Sequence, residues 1–201
     1  MIRVLLVEDE RILRESLASL LAQEADLDIV GQMGEGQAVS EAVGRTRPDV
    51  CVLDIALPDG DGIDVAARVR AEHPECRTMV LTGIGQPGHL RRAVAAGVTG
   101  FLLKQCRPQQ LVDAIRTVAA GGRVVDPHLA YAALGTAPGP LTERETDVLR
   151  LTAAGLAPRE VAESLSLSYG TVRNYLATAV AKIGARNRVD AIRIATQKGW
   201  L

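Results

Sequence analysis

The sequence predicts a doubly wound α/β domain followed by a smaller domain made only of helices. Over residues 1–121, short apolar runs rich in β-branched residues alternate with stretches of helical periodicity. From about residue 141 onward the periodicity is helical throughout. A Gly- and Pro-rich segment, 135–140, separates the two patterns. We therefore predict an α/β domain over 1–121, a linker with a short helix over 122–140, and a helical domain over 141–201.

The first domain contains five predicted strands, each bounded by Gly, Pro or Asp. They cover residues 2–7, 28–31, 50–53, 78–81 and 100–103. Between them, apolar residues recur at helical spacing, for example Leu13, Leu17 and Leu20. Strands that alternate with helices favour a parallel sheet covered on both faces. Five such strands most often take the order 2-1-3-4-5, so we predict a flavodoxin-like sheet.

The second domain contains four predicted helices, and most of their ends carry a capping signal. Thr142 begins a capping box with Glu145, and Pro158 opens the next helix. Ser168 caps a third helix over 169–183, and Asn187 caps the fourth. The second and third helices are joined by a short turn, which is typical of a helix-turn-helix with the third helix as its recognition helix.

Composition excludes several classes of protein. The formal net charge is −1, so the chain is not a polycation that coats nucleic acid, but from Gly170 onward basic residues outnumber acidic ones six to one. The three cysteines form no CxxC motif, which argues against a disulfide framework and a zinc site and fits a reducing cytosol. We see no signal peptide and no apolar run long enough to cross a membrane, and expect a cytoplasmic protein.

Chemically active side chains follow four of the predicted strands. Glu8 and Asp9 follow the first strand, Asp54 the third, Thr82 the fourth and Lys104 the fifth. In a parallel sheet these carboxyl ends share one edge, where ligands bind. Each residue taken alone is more often a helix cap, a loop residue or a surface charge than part of a site. Because all of them converge on one edge, we interpret them as one site.

This set of residues fits a magnesium-assisted phosphoryl acceptor. Asp9 and Asp54 can bind Mg²⁺ directly, Glu8 can bind it through water, and the backbone carbonyl of Ala56 can complete the set. A carboxylate can also attack phosphorus to give an aspartyl phosphate. Lys104 would pair with one phosphoryl oxygen and the Thr82 hydroxyl would donate to another.

The third helix of the second domain has a face suited to DNA. One buried stripe is predicted for Val172, Leu176, Ala179 and Ile183. The residues outside this stripe are Thr171, Arg173, Asn174, Tyr175, Thr178 and Lys182. In a major groove Arg can pair with guanine and Asn with adenine, while the other four can reach phosphates. The alternative is an ordinary solvated helix face.

The chain resembles two-component response regulators of the NarL/FixJ type. The resemblance rests on Glu8-Asp9, on segment 54–62 with its Pro58 and Gly62, on Thr82 and Lys104, and on the LuxR-type helix-turn-helix. It implies that Asp54 accepts a phosphoryl group from a sensor histidine kinase. Thr82 then turns toward the phosphate, and the aromatic Phe101 swings inward as a switch.

The recognition helix and the C-terminus look closest to the DesR-type branch. The residues concerned are Arg173-Asn174-Tyr175 and the ending Lys198-Gly199-Trp200. The resemblance also implies promoter DNA as a partner and a homodimer on phosphorylation. Two receiver faces are open for that dimer: one formed by the first and last receiver helices, and one at the fourth and fifth strands with their helices.

Two other functions compete with a phosphorylation-switched regulator. The first is a constitutive DNA-binding protein with an inert receiver, which the complete set of Asp9, Asp54, Thr82 and Lys104 argues against. The second is a phosphatase, which would need an acid two residues after the nucleophile, where this chain has Ala56. We therefore do not expect an enzyme.

Overall fold

The N-terminal part of the chain is built around a parallel sheet with helices on its faces. The computed structural model describes residues 1–83, 85–135 and 139–201, so Ile84 of the loop after the fourth predicted strand and residues 136–138 of the predicted linker lie outside the described residues. The strands are β1 Ile2–Val7, β2 Leu27–Met33, β3 Val50–Leu53, β4 Ala56–Leu57, β5 Gly60–Asp61, β6 Arg77–Thr82, β7 Gly100–Leu103 and β8 Val124–Val125. The helices of this part are α1 Arg11–Leu21, α2 Val39–Thr46, α3 Gly62–Glu72, α4 Pro87–Ala95, α5 Pro108–Ala119 and α6 Pro127–Gly135.

The order of the main sheet is β2-β1-β3-β6-β7-β8. The predicted flavodoxin-like order of the first five strands is confirmed, because β6 and β7 are the fourth and fifth predicted strands. All pairs in this sheet are parallel. The sheet core is aliphatic and includes Val4, Val52, Met79 and Ile115, each essentially inaccessible to solvent.

For the main sheet, the prediction of five strands was one strand short. Gly121, at a φ of 90°, turns the chain after α5, and β8 then pairs with the edge of β7. The N–H of Val124 donates to the carbonyl of Thr99, and the N–H of Asp126 donates to the carbonyl of Phe101. A strand of two residues has no periodicity of its own, so sequence pattern alone could not reveal it.

Two residues past the end of β8, the predicted short helix is present. Its first residue is Pro127, and the Asp126 carboxylate accepts hydrogen bonds from the backbone N–H groups of His128 and Leu129. This is the N-terminal chemistry that the Asp-Pro pair predicts. Both β8 and α6 lie in the segment that we predicted as a linker; the exact domain boundaries stay a prediction.

The C-terminal part folds as four helices around a separate core. They are α7 Glu143–Ala153, α8 Pro158–Ser164, α9 Tyr169–Ile183 and α10 Arg188–Gln197. The predicted caps are confirmed: Thr142, Ser168 and Asn187 each accept a hydrogen bond from a backbone N–H in the first turn. Gly184 ends α9 in the left-handed conformation at a φ of 71°.

The chain divides into two compact units. One comprises Met1–Gly85 and Leu90–Tyr131, and the other comprises Gln86–His89 and Ala132–Leu201. The second unit has its own apolar core, with Val148, Leu149, Val172 and Ala191 fully buried. Among the helices of the described ranges, none combines the length and the apolar character needed to cross a membrane.

Candidate functional site

Two strand ends and a loop bring three carboxylates together at the carboxyl edge of the sheet. Val7 and Leu53 are paired at the ends of β1 and β3, and the N–H of Asp54 extends this ladder to the carbonyl of Val7. As a result Glu8, Asp9 and Asp54 each offer an oxygen within 4.8 Å of the others. Glu8 and Asp54 are buried, whereas Asp9 is exposed. The predicted convergence of these acids is therefore present.

Lys104, the residue that follows β7, completes this cluster. Its N–H donates to the carbonyl of Thr82, which continues the pairing of β6 with β7. Its ammonium lies 2.8 Å from a carboxylate oxygen of Asp54 and 2.8 Å from one of Glu8. One cation thus bridges two buried carboxylates and offsets part of their negative charge where water is scarce.

The electrostatics of the cluster reflect this sharing. Burial raises the pKa of Glu8 above its ordinary value, and this outweighs the hydrogen bond from Lys104 that lowers it. Burial by itself would lower the pKa of Lys104, but the hydrogen bonds to Asp54 and Glu8 outweigh it and raise the pKa. The ammonium therefore stays charged at neutral pH.

Contacts of Asp59, Asp61 and Gly62 hold the loop after Asp54 in place. The Asp59 carboxylate accepts hydrogen bonds from the N–H groups of Gly36 and Gln37 at 2.7 and 2.6 Å. Asp61 caps α3 by accepting from the N–H of Ile63. Gly62 is needed at its position, because a Cβ there would lie 1.8 Å from the backbone oxygen of Asp54.

Two further arginines, which sequence analysis did not identify, support the site. Arg14 of α1 donates to the backbone carbonyl of Glu8 at 2.5 Å, so it holds the loop that carries the acidic pair. Arg92 of α4 donates to the carboxylates of Asp61 and Asp64 at 2.7 and 3.2 Å. Both contacts depend on tertiary distances that residue spacing does not encode.

The remaining predicted receiver residues lie in strands β6, β7 and β4. Thr82 is the last residue of β6 and is buried. Phe101 lies in β7, is 1% exposed and is paired in register with Val80 and Val125. Its ring is therefore inside the fold in this structure. Ala56, the predicted carbonyl ligand, begins β4 two residues after Asp54.

The predicted DNA face lies along α9. Val172, Leu176 and Ala179 are buried, and Ile183 packs partly buried against the same core. Arg173, Asn174, Thr178 and Lys182 are exposed, whereas Thr171 and Tyr175 are half-buried. The structure thus separates an apolar stripe from a polar face, as the periodicity predicts.

Two residues of this face have partners within the domain. The Lys182 ammonium lies 2.8 Å from the buried carboxylate of Glu145, which also accepts from the N–H of Thr142. The Thr171 hydroxyl lies 2.8 Å from the Ser168 hydroxyl in the cap of α9. These contacts fix both side chains at the surface that the helix presents.

Comparison with known proteins decides the family. Residues 4–116 match the response regulator receiver domain, and residues 139–195 match the bacterial regulatory proteins of the luxR family. The chain is a response regulator of the NarL/FixJ, LuxR-type family. This confirms the resemblance seen in the sequence.

Relatives of this response regulator match along its whole length. The transcriptional regulatory protein DesR of Bacillus subtilis is 38% identical and covers all of this chain and 99% of its own. YvfU of the same organism is 39% identical over the full length of both chains. The response regulator RamR of Streptomyces coelicolor is 43% identical, covering all of this chain and 98% of its own. The likeness to the DesR-type branch is thereby confirmed.

Solved structures agree with the fold of this response regulator. RcsB of Salmonella typhimurium matches with a TM-score of 0.77 over 98% of both chains, at 24% identity. The response regulator ChrA of a heme-sensing two-component system matches with a TM-score of 0.58, at 30% identity over 100% of this chain and 98% of its own. The family is regulatory: its members couple a phosphorylatable receiver to a DNA-binding domain.

Proposed function

We propose that Asp54 is the residue whose phosphorylation switches this transcription regulator. The observation that carries the proposal is the convergence of the Glu8, Asp9 and Asp54 carboxylates with the Lys104 ammonium at one sheet edge. A carboxylate oxygen of Asp54 attacks the phosphorus of a phosphohistidine on a sensor kinase. The P–N bond breaks, its electron pair stays on the imidazole nitrogen, which takes up a proton from water, and an acyl phosphate forms on Asp54.

The chain's own groups then stabilise the transferred phosphoryl group. The Lys104 ammonium is 2.8 Å from Asp54 and pairs with one phosphoryl oxygen once the acyl phosphate has formed. The Thr82 side chain turns so that its hydroxyl donates to a second phosphoryl oxygen. Phe101, in the neighbouring strand β7, responds to this movement of Thr82. Phe101 is buried in this structure, which is the inward position that the switch is expected to reach.

The donor set fits a hard divalent cation. Glu8, Asp9 and Asp54 offer only carboxylate oxygens, the ligands that Mg²⁺ prefers, and the backbone carbonyl of Ala56 is the fourth expected ligand. When bound, Mg²⁺ supplies positive charge that neutralises phosphoryl oxygens during transfer.

The output of the switch is binding to promoter DNA by a homodimer. Arg173 and Asn174 of α9 are the residues that we expect to read bases, while Thr171, Tyr175, Thr178 and Lys182 contact phosphates. A symmetric dimer would place two recognition helices at half-sites one DNA turn apart. A sensor histidine kinase is the expected partner upstream, and the cytoplasm is the expected location.

The phosphorylation half is tested by intact mass. Incubation with Mg²⁺ and acetyl phosphate should add the mass of one phosphoryl group to the wild type and none to Asp54→Asn. Addition of EDTA should prevent the adduct. An unmodified wild type would favour an inert receiver, and release of phosphate without an adduct would favour a phosphatase.

The DNA half is tested by selecting duplexes from a random library and footprinting the recovered sequence. We expect protection that strengthens when acetyl phosphate is added. The same footprint with and without the phosphodonor would contradict phosphorylation control, although not DNA binding.

A further inference from the structure

Two guanidinium groups converge on one tyrosine ring at the joint of the helix-turn-helix. Tyr169 is the first residue of α9 and is 47% exposed. Arg159, the second residue of α8, has its guanidinium carbon 5.9 Å from the centroid of the Tyr169 ring. Arg173, one turn along α9, has its guanidinium carbon at the same distance of 5.9 Å. Both lie within the range of a cation–π contact.

Neither guanidinium has a carboxylate partner among the residues that the structure describes. Several other cations of the unit are paired: Lys182 with Glu145, and Arg186 and Arg193 with Asp190. Arg159 and Arg173 are both exposed. Positive charge from two helices is therefore concentrated at one ring without an internal counterion.

We propose that Arg159, Tyr169 and Arg173 form a clamp for one backbone phosphate of duplex DNA. Arg159 and Arg173 bind the phosphate, and Tyr169 is the positioning residue that holds both guanidiniums. The clamp rests on the proposed function, since it needs α9 to face DNA. It adds to that function a contact from α8 and a role for the ring.

The chemistry of the groups favours a phosphodiester. Two like charges at one ring repel each other, and a shared anion between them removes that repulsion. In a helix-turn-helix the first helix crosses the DNA backbone while the second enters the major groove, so a phosphate near the joint meets both. Guanidinium groups suit phosphate oxygens because their N–H donors form a fork.

The ring makes the clamp stronger by ordering it in advance. A free arginine loses rotamer freedom when it binds, and contact with Tyr169 removes part of that loss beforehand. Arg173 carries five N–H donors, so contact with a phosphate leaves donors for a base edge. The clamp is therefore compatible with the base-reading role proposed for Arg173.

The first test measures the affinity of the full chain for a fluorescein-labelled duplex of random sequence by anisotropy, over a range of salt concentrations. A random duplex is the right probe because a phosphate contact does not depend on sequence. Arg159→Ala should weaken binding about three- to tenfold and reduce the slope of log affinity against log salt by about 0.9. Arg45→Ala, which removes an exposed charge from the receiver, should change neither.

The second test separates the ring from the hydroxyl. Tyr169→Ala should weaken binding about three- to tenfold, whereas Tyr169→Phe keeps the ring and should stay within about twofold of the wild type. In the Arg159→Ala, Arg173→Ala background, Tyr169→Ala should have little further effect. Circular dichroism and thermal unfolding of each variant show whether the domain still folds.

The outcomes distinguish the clamp from the proposed function. A wild type that binds no duplex overturns both. A wild type that binds, with Arg159→Ala unchanged in affinity and in salt slope, overturns the clamp and leaves the proposed function intact. Equal losses in Tyr169→Ala and Tyr169→Phe would show that the hydroxyl acts, which contradicts positioning by the ring.

Discussion

At the residue scale, Lys104 determines the charge balance of the acidic cluster. Its ammonium is the cation that bridges Glu8 and Asp54, both of which are buried. Removing it leaves two carboxylates in a poorly solvated place, where the pKa of Glu8 is already raised by burial. The cluster is then stable only if a proton or another cation replaces the lost charge.

We predict that Lys104→Met lowers the free energy of unfolding by about 2 kcal/mol in the absence of divalent cations, because a buried charge-assisted pair is broken. Added Mg²⁺ should recover part of the loss, since a cation among the carboxylates replaces the missing charge. Urea denaturation with and without Mg²⁺ measures both effects, with Arg45→Met as the control. A loss that Mg²⁺ does not change would count against a metal site here.

Glu145 predicts a pH dependence for the DNA-binding unit. Burial would raise its pKa, but the hydrogen bonds from Lys182 and Thr142 outweigh that and lower it below the ordinary value of 4.5. A carboxylate with a lowered pKa stabilises the fold fully above its unfolded value, and this contribution is lost as the pH falls through the folded value.

We therefore expect Glu145→Gln to lower the stability of this unit by about 1 kcal/mol at neutral pH, because one charge-assisted hydrogen bond is weakened. The glutamine amide oxygen can still accept the capping bond from the Thr142 N–H. The difference from the wild type should stay constant down to the unfolded pKa of 4.5 and shrink at more acidic pH. Unfolding followed by circular dichroism at several pH values tests the sign; a difference that grows toward acid would contradict it.

At the element scale, local chemistry separates what the sequence can predict from what it cannot. The bounds of α9 are predicted to the residue, because the Ser168 cap and Gly184 are local signals. The two-residue strand β8 and the hairpin of β4 with β5 are not predicted, because each exists only through pairing with a neighbour. Within the site, residue types and strand ends predict which side chains converge. They do not predict that Lys104 bridges Glu8 as well as Asp54, or that Arg14 holds the loop.

The contact of α4 with α3 gives a prediction at this scale. Arg92 of α4 joins Asp61 and Asp64, and its side chain is only 19% exposed. Because this contact ties α4 to the loop after Asp54, Arg92→Ala should speed hydrogen exchange in α4 and lower receiver stability by about 1 kcal/mol. Hydrogen-exchange mass spectrometry measures the first effect, with Arg45→Ala as the control. Unchanged exchange across α4 would show that the contact does not restrain it.

At the scale of the whole molecule, the proposed switch predicts a change of assembly. Beryllofluoride with Mg²⁺ mimics an acyl phosphate on Asp54, so it should shift the receiver equilibrium toward the dimeric form. Sedimentation velocity should show the mass of two chains with beryllofluoride and a lower average mass without it. Asp54→Asn should not respond. A wild type whose mass is the same in both conditions would contradict dimerisation by phosphorylation.

The pairing of β8 with β7 has a practical consequence for dissecting this protein. A receiver fragment that ends at Gly121 lacks Val124 and Val125, which otherwise form the edge strand of the sheet. Without β8, β7 becomes an edge strand with unpaired backbone N–H and C=O groups. Exposed strand edges of this kind promote aggregation with other copies. Soluble fragments of the signalling half are therefore best cut beyond Asp126.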